Sequence, residues 1–154
     1  MKRLTILLIV WGLFTQPAWA YHTAIIGGLR DGLALGMLVE QHLIGEKLTA
    51  RYGLEGSTGD DFTFSGDNPF QLSGGLKFQL GKIGRGLPFW GTAGLILYSG
   101  NNPLTGFSLS FIIEEMFNTK PLFVEMGADL MPNYAHIQAQ IGYRIIDDQS
   151  ELLH

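Results

Sequence analysis

The sequence predicts an all-β fold, a barrel of eight antiparallel up-and-down strands, and three observations support this prediction. Apolar and polar residues alternate with a period of two along most of the chain, as in FQLSGGLKFQL at 70–80. Glycine is abundant, with 21 of 154 residues, whereas proline contributes only 6. Short segments rich in Gly, Asn, Asp or Pro separate the alternating stretches at regular intervals. No stretch has helical periodicity.

The first twenty residues have the layout of a cleavable secretory signal peptide. A basic start at 1–3 precedes an apolar run at 4–14, and Ala18-Trp19-Ala20 provides the small residues read by a signal peptidase. An N-terminal membrane anchor is the alternative, but this run is too short to cross ~30 Å of hydrocarbon as a helix. We therefore expect cleavage after Ala20, a barrel domain at 21–146 and a polar C-terminal tail at 147–154.

The charge and the cysteine content exclude several classes of function. Without Lys2 and Arg3, eight basic residues remain against fourteen acidic ones, a formal charge of −6. An acidic exported protein is a poor candidate for binding nucleic acid, so no nucleic-acid partner is expected. The chain has no cysteine, which excludes disulfides, a thiol nucleophile and a cysteine-ligated metal. A continuous sheet must then supply the stability that disulfides give to many small exported domains.

The first three strands are predicted from alternation and from two hairpin turns. These strands are 21–29, 33–44 and 47–56. Residues 30–32, Arg-Asp-Gly, suit a three-residue turn with Gly in the left-handed region. Residues 45–46, Gly-Glu, suit a two-residue turn, which predicts that Leu43 pairs with Leu48.

Five further strands follow the longest polar loop, at 57–68. They are 70–81, 89–100, 104–116, 122–130 and 134–146. Segments with turn chemistry separate them, such as Asn101-Asn102-Pro103. Strand 89–100 carries no charge, so the sequence does not assign its two faces.

The two faces of these strands differ in a way that predicts which one points into the barrel. The apolar face carries no charge in six strands, and an Arg or Lys at the middle of a membrane would cost roughly 2–4 kcal/mol. The polar face is rich in Gly, Ser, Thr and Gln, and small residues fit the crowded interior of an eight-stranded barrel. Its charges nearly balance, as buried charges must. We therefore predict a lipid-facing apolar exterior and a lumen filled by polar side chains. The predicted lumen network is Glu40, Arg51, Glu55, Lys77, Glu114, Glu125, Asp129 and Arg144, with His42 and His136 able to add charge.

Strand length and aromatic residues also favour a transmembrane barrel. An even number of antiparallel strands, each near the ~9–11 residues needed to cross a bilayer at a tilt, is typical of such barrels. Aromatic residues near strand ends are predicted to form interfacial girdles. These are Phe70, Phe89, Trp90, Phe117, Phe123, Tyr134 and Tyr143. Chain order then places both termini in the periplasm and the long loop outside. A soluble exported barrel with an apolar ligand inside is the alternative.

With these strands, the chain resembles the small eight-stranded outer-membrane β-barrels of Gram-negative bacteria over nearly all of 21–146. The resemblance implies residence in the outer membrane, contact with outer-membrane lipid, insertion by the barrel assembly machinery and a structural or binding role without an open pore. The chain departs from these barrels at its end. They often finish on an aromatic residue, whereas Tyr143 to Ile146 is followed here by a polar tail.

Some barrels of this size are lipid A deacylases, which use a His–Ser–Glu set, and the chain resembles them in size. The matching residues on the polar face are His136, Ser108 or Ser110, and Glu125 or Glu114. A serine activated by a histidine that a carboxylate orients is sound nucleophilic chemistry. The deacylases' local motif is absent, because Gln138 stands two residues after His136. The alternative is that these side chains form a structural network that fills the barrel.

No metal or cofactor is expected. His22, His42 and His136 show no short ligand spacing. Asp60-Asp61 and Asp67-Asn68 in the long loop lack the ordered acidic spacing of a calcium-binding loop.

Overall fold

The computed structural model describes residues 21–45, 47–58, 70–101, 103–133 and 135–145. Several sequence predictions therefore lie outside the described residues. These are the signal peptide at 1–20, the residues at 60–61 and 67–68 of the long loop, the aromatic residue Tyr134 and the tail at 147–154.

The described residues form eight strands, each antiparallel to the next, and the last strand pairs with the first to close a barrel. The strands are β1 Tyr21–Arg30, β2 Leu33–Ile44, β3 Leu48–Ser57, β4 Phe70–Ile83, β5 Leu87–Ser99, β6 Leu104–Glu114, β7 Leu122–Leu130 and β8 Ala135–Ile145. The predicted all-β barrel of eight antiparallel strands is thus confirmed. A short 3₁₀ turn, Met116–Asn118, links β6 to β7. Within the described ranges, no helix is long and apolar enough to cross a membrane.

The barrel has two ends that differ in what they carry. The termini end holds residues 21 and 145 and the connections from β2 to β3, β4 to β5 and β6 to β7. The loop end holds the connections from β1 to β2, β3 to β4, β5 to β6 and β7 to β8. Because the topology is up-and-down, every strand runs from one end to the other.

Side chains alternate between the interior and the outer surface along every strand, as the pleat of a β-strand requires. In β2, Leu35 is 66% exposed whereas Leu38 is 3% exposed. The alternation also settles the faces of β5. Tyr98 points inward and is buried, whereas Leu95 and Leu97 are exposed on the outside.

Two connections differ locally from the predictions. At the connection from β2 to β3, the amide of Lys47 donates to the carbonyl of Ile44, as a tight turn requires. A register shift in β2 lies between His42 and Ile44, so Leu48 pairs with Ile44 and the predicted pairing with Leu43 is wrong. Between β4 and β5 the connection shortens to 84–86, because Gly84 and Gly86 adopt positive φ angles of 55° and 98° that glycine allows.

Two of the predicted girdle aromatics lie inside the barrel instead of at its outer surface. Trp90 is 8% exposed and Phe123 is fully buried. Phe123 fits because Gly142 pairs with it on β8 and leaves room for the ring. Both rings lie next to interior cations, with Lys77 Nζ 4.7 Å from the centre of the Trp90 ring. The prediction failed because it considered only how near each ring lies to a strand end. Whether a ring points inward or outward depends on its position in the alternation of side chains along the strand.

Candidate functional site

The charged side chains of the interior form the candidate functional site. All eight residues of the predicted lumen network point into the barrel. The structure brings six of them together as a termini-end cluster, which consists of Glu40, Arg51, Lys77, Glu114, Glu125 and Arg144. The other two, Glu55 and Asp129, join Arg30 in a separate loop-end cluster.

Two cations and two carboxylates alternate in the part of the termini-end cluster nearest the barrel end. Lys77 Nζ lies 2.6 Å from Glu114 and 3.1 Å from Glu40. Arg144 Nε donates to Glu40 at 3.1 Å, and its Nη2 donates to Glu114. Each carboxylate is therefore shared by both cations, so the loss of one cation leaves each carboxylate with another.

Arg51 extends this cluster toward the middle of the barrel. Its guanidinium makes a two-pronged contact with Glu125, at 2.8 and 2.5 Å. This geometry suits the planar fork of arginine. Arg51 Nε lies 3.5 Å from Glu40, which connects the pair to the rest of the cluster. Ser110 donates to Glu125 at 2.5 Å, so the carboxylate of Glu125 is held by a charged and a neutral donor.

The loop-end cluster is organised around a single arginine. Arg30 binds Asp129 through Nε at 2.8 Å and through Nη2 at 2.9 Å, and it also pairs with Glu55. Tyr98 donates its hydroxyl to Asp129 at 2.8 Å, and Gln140 donates to Glu55. All three charged members are buried. This cluster holds two carboxylates against one cation.

Arg30 is the interior charge that the sequence prediction missed, because the prediction placed it in a hairpin turn. The turn does pair Leu29 with Leu33, but Arg30 also pairs with Gln138 on β8 and so belongs to the strand. The parity of β1 was the usable signal. Every second residue from His22 to Arg30 lies on the same face of β1.

The structure separates the three candidate catalytic residues. Ser108 pairs with Asp129, and Asp129 pairs with His136 across β6, β7 and β8. Glu125 lies four residues farther along β7, about 13 Å away at ~3.3 Å per residue.

The partners of these residues also differ from those of a catalytic triad. Ser108 accepts hydrogen bonds from Arg30 and Gln138. The Nδ1 atom of His136 lies 3.3 Å from Asp31. In the row across the three strands the carboxylate stands between the serine and the histidine, whereas a triad needs the histidine between the other two.

The histidines fall at opposite ends of the barrel. His22 and His42 meet edge to face at the termini end, with ring centres 5.3 Å apart. His136 stacks on Tyr98 at the loop end. Over the described ranges, no group of three or more His, Asp or Glu side chains could hold a metal ion.

The described residues enclose at least two cavities within the barrel. The larger has a volume of about 320 Å³ and opens at the termini end; we call it the vestibule. The vestibule is lined by His22, Glu40, His42, Thr49, Lys77, Trp90, Glu114, Lys120, Pro121 and Arg144. The smaller, of about 30 Å³, lies between the two charged clusters and is lined by residues that include Arg30, Arg51, Glu55 and Glu125.

The fold and its interior define the class of the protein, an eight-stranded antiparallel β-barrel with ion-paired side chains in its lumen. Comparisons of the chain with protein-family models, with curated proteins and with solved structures give no match.

Proposed function

We propose that this protein is an integral outer-membrane β-barrel of a Gram-negative bacterium, with a structural or small-molecule binding role and no open pore. One observation carries the proposal, and it concerns the outer surface. In the described residues, the outward-facing positions along the middle of the eight strands carry no charged side chain. A hydrocarbon surround favours this distribution, since a Lys or Arg there would cost roughly 2–4 kcal/mol.

The apolar outer surface runs around the whole barrel. Among the residues that the structure describes, 27 large apolar side chains are at least about a third exposed, and every strand contributes to this set. Water-soluble monomers rarely expose a contiguous apolar patch of more than about 300–600 Å². A single partner protein would cover one patch, whereas lipid covers a full circumference.

The filled interior supports the part of the proposal that excludes an open pore. The two charged clusters span the lumen from the termini end to the loop end, and their charged members are almost all buried. Eight strands leave an interior just wide enough for side chains. Ions would have to break these contacts to pass.

The two alternative functions receive less support from the geometry. A soluble barrel with an apolar ligand inside needs the apolar face inside, whereas these strands have the opposite arrangement. A lipid hydrolase needs its serine and acid to meet at the lipid. Here Ser108, Ser110 and Glu125 are all buried in the lumen. Ser110 does donate to Glu125, but His136 lies at the loop end beside Asp31.

The proposal is tested by the environment of single cysteines, because the chain contains no native cysteine. We would prepare Leu109→Cys and Met126→Cys, which lie on the outer face near the middle of β6 and β7. Each is labelled with an environment-sensitive fluorophore and reconstituted into phosphatidylcholine vesicles. We expect blue-shifted emission that is quenched when the acyl chains are brominated.

Arg85→Cys is the matched control, since Arg85 lies in an exposed turn at the termini end. Its label should emit as in water and escape quenching by the acyl chains. Water-like emission from all three positions would overturn the proposal. Recovery of the unlabelled protein as a soluble monomer without detergent would also overturn it.

A further inference from the structure

The vestibule at the termini end has the size and shape of a small-molecule site. Its volume of about 320 Å³ lies at the lower end of the range of ~300–1,000 Å³ that ligand pockets occupy. The strands that form its wall are part of the closed barrel, so the site is preformed. It opens at the termini end, away from the loop-end cluster.

The charges that line the vestibule favour an anion. The lining contains three basic residues, Lys77, Lys120 and Arg144, against the two carboxylates of Glu40 and Glu114. Lys77 and Arg144 already pair with both carboxylates. Lys120 has no ion-pair partner among the described residues, so its charge is available to a ligand.

Other side chains in the same wall add hydrogen-bond donors. The indole Nε1 of Trp90 is buried and finds no acceptor among the residues that the structure describes. His22 and His42 stand side by side in the wall, and Thr49 lies 3.3 Å from His42 Nδ1. A ligand rich in acceptor oxygens matches this surplus of donors and of positive charge.

We propose that the vestibule binds a small organic anion, whose carboxylate or phosphate group is held by Lys120 together with His22 and His42. Trp90 and Pro121 also line the vestibule and would contact the apolar part of the ligand. The site does not depend on lipid contact outside the barrel, so its test is separate from the test of the proposed function. If the termini face the periplasm, the ligand enters from there.

The test is a calorimetric titration of the full chain, folded in a neutral maltoside detergent that carries no phosphate. Inorganic phosphate and sodium acetate are titrated separately, which distinguishes the two kinds of anion, and tetramethylammonium chloride at equal ionic strength is the cationic control. We expect saturable binding of at least one anion and none of the cation. The indole N–H resonance of Trp90, assigned by its loss in Trp90→Phe, should shift along the same titration.

Two lysine variants locate the site. Lys120→Gln should weaken binding of the anion about three- to tenfold, because it removes one charged hydrogen-bond donor. Lys47→Gln removes the same charge from an exposed turn at the same end of the barrel, outside the vestibule, and should leave binding unchanged. Lys120 lies in an exposed turn, so its replacement should leave the barrel folded, as circular dichroism would verify.

The double variant His22→Gln/His42→Gln should weaken binding as well. The proposal is overturned if neither anion gives saturable heat, if the cation binds as well as the anions, or if the Lys120 and Lys47 variants have equal effects. Binding of phosphate without acetate, or the reverse, supports the proposal and identifies the group that the vestibule holds.

Discussion

The termini-end and loop-end clusters hold buried charge in two different ways. At the termini end, three basic and three acidic side chains share contacts. Glu40 contacts all three of the basic residues, Lys77, Arg51 and Arg144. At the loop end, Arg30 is the cation between Glu55 and Asp129. The termini-end cluster is therefore redundant, whereas the loop-end cluster depends on one residue.

Neutral polar groups make up for the lack of a second cation at the loop end. Tyr98 donates to Asp129, and Gln140 donates to Glu55. Such donors stabilise a carboxylate without bringing a charge of their own. The termini-end cluster instead borders the vestibule, where water can solvate the charges. One barrel wall therefore supports both a buried ion-pair cluster at the loop end and an open cavity at the termini end.

The largest effect is expected from Arg30→Met, which removes the cation of the loop-end cluster. Two buried carboxylates would then lie close together without their partner. Breaking a buried ion pair from one side costs about 3–5 kcal/mol, so we expect a loss of this size in the free energy of unfolding. Urea unfolding in detergent micelles, followed by circular dichroism, measures it.

A neutralised loop-end cluster is the control for this prediction. The triple variant Arg30→Met/Glu55→Gln/Asp129→Asn removes the carboxylates together with the cation, so it should recover much of the stability that Arg30→Met loses. Equal stability of the single variant and the wild type would show that Arg30 does not hold the two carboxylates.

The importance of Arg30 also marks the limit of what the sequence could predict. A period of two, together with the glycine-rich turns, was enough to locate all eight strands and the inward direction of Lys77. The same period puts Arg30 on the inward face of β1, but only if the strand extends as far as Arg30, and that extension depends on pairing with β8, far away in sequence. The faces of β5 were also beyond it, since no charge marks either side.

The second-largest loss of stability is expected from alanine substitutions at two interior glycines, one near each end of the barrel. At the loop end, a Cβ on Gly106 would overlap the backbone carbonyl of Leu130. At the termini end, a Cβ on Gly142 would overlap the ring of Phe123, a side chain that can move or be replaced. We expect Gly106→Ala and Gly142→Ala each to cost about 1–3 kcal/mol, with Gly106→Ala the more costly because a backbone cannot yield.

Combining Gly142→Ala with Phe123→Leu tests the inward position of the Phe123 ring. If the new methyl group contacts the Phe123 ring, the double variant should lose about 1 kcal/mol less stability than the sum of the two single losses. Substitutions of residues in contact are coupled in this way. Urea unfolding of the single and double variants gives this coupling energy. Strict additivity would contradict the packing of Phe123 against Gly142.

The smallest effect is expected from Lys77→Met at the termini end, although Lys77 is as deeply buried as Arg30. Glu40 and Glu114 both keep Arg144, and the vestibule admits water beside them. We expect a loss of roughly 1–2 kcal/mol, the cost of an incompletely paired charge, measured by the same unfolding titration. The double variant Lys77→Met/Arg144→Met removes the redundancy, so it should lose more than the two single variants together. If Lys77→Met alone costs as much as Arg30→Met, the shared contacts do not protect the carboxylates, and both ends hold their charge in the same way.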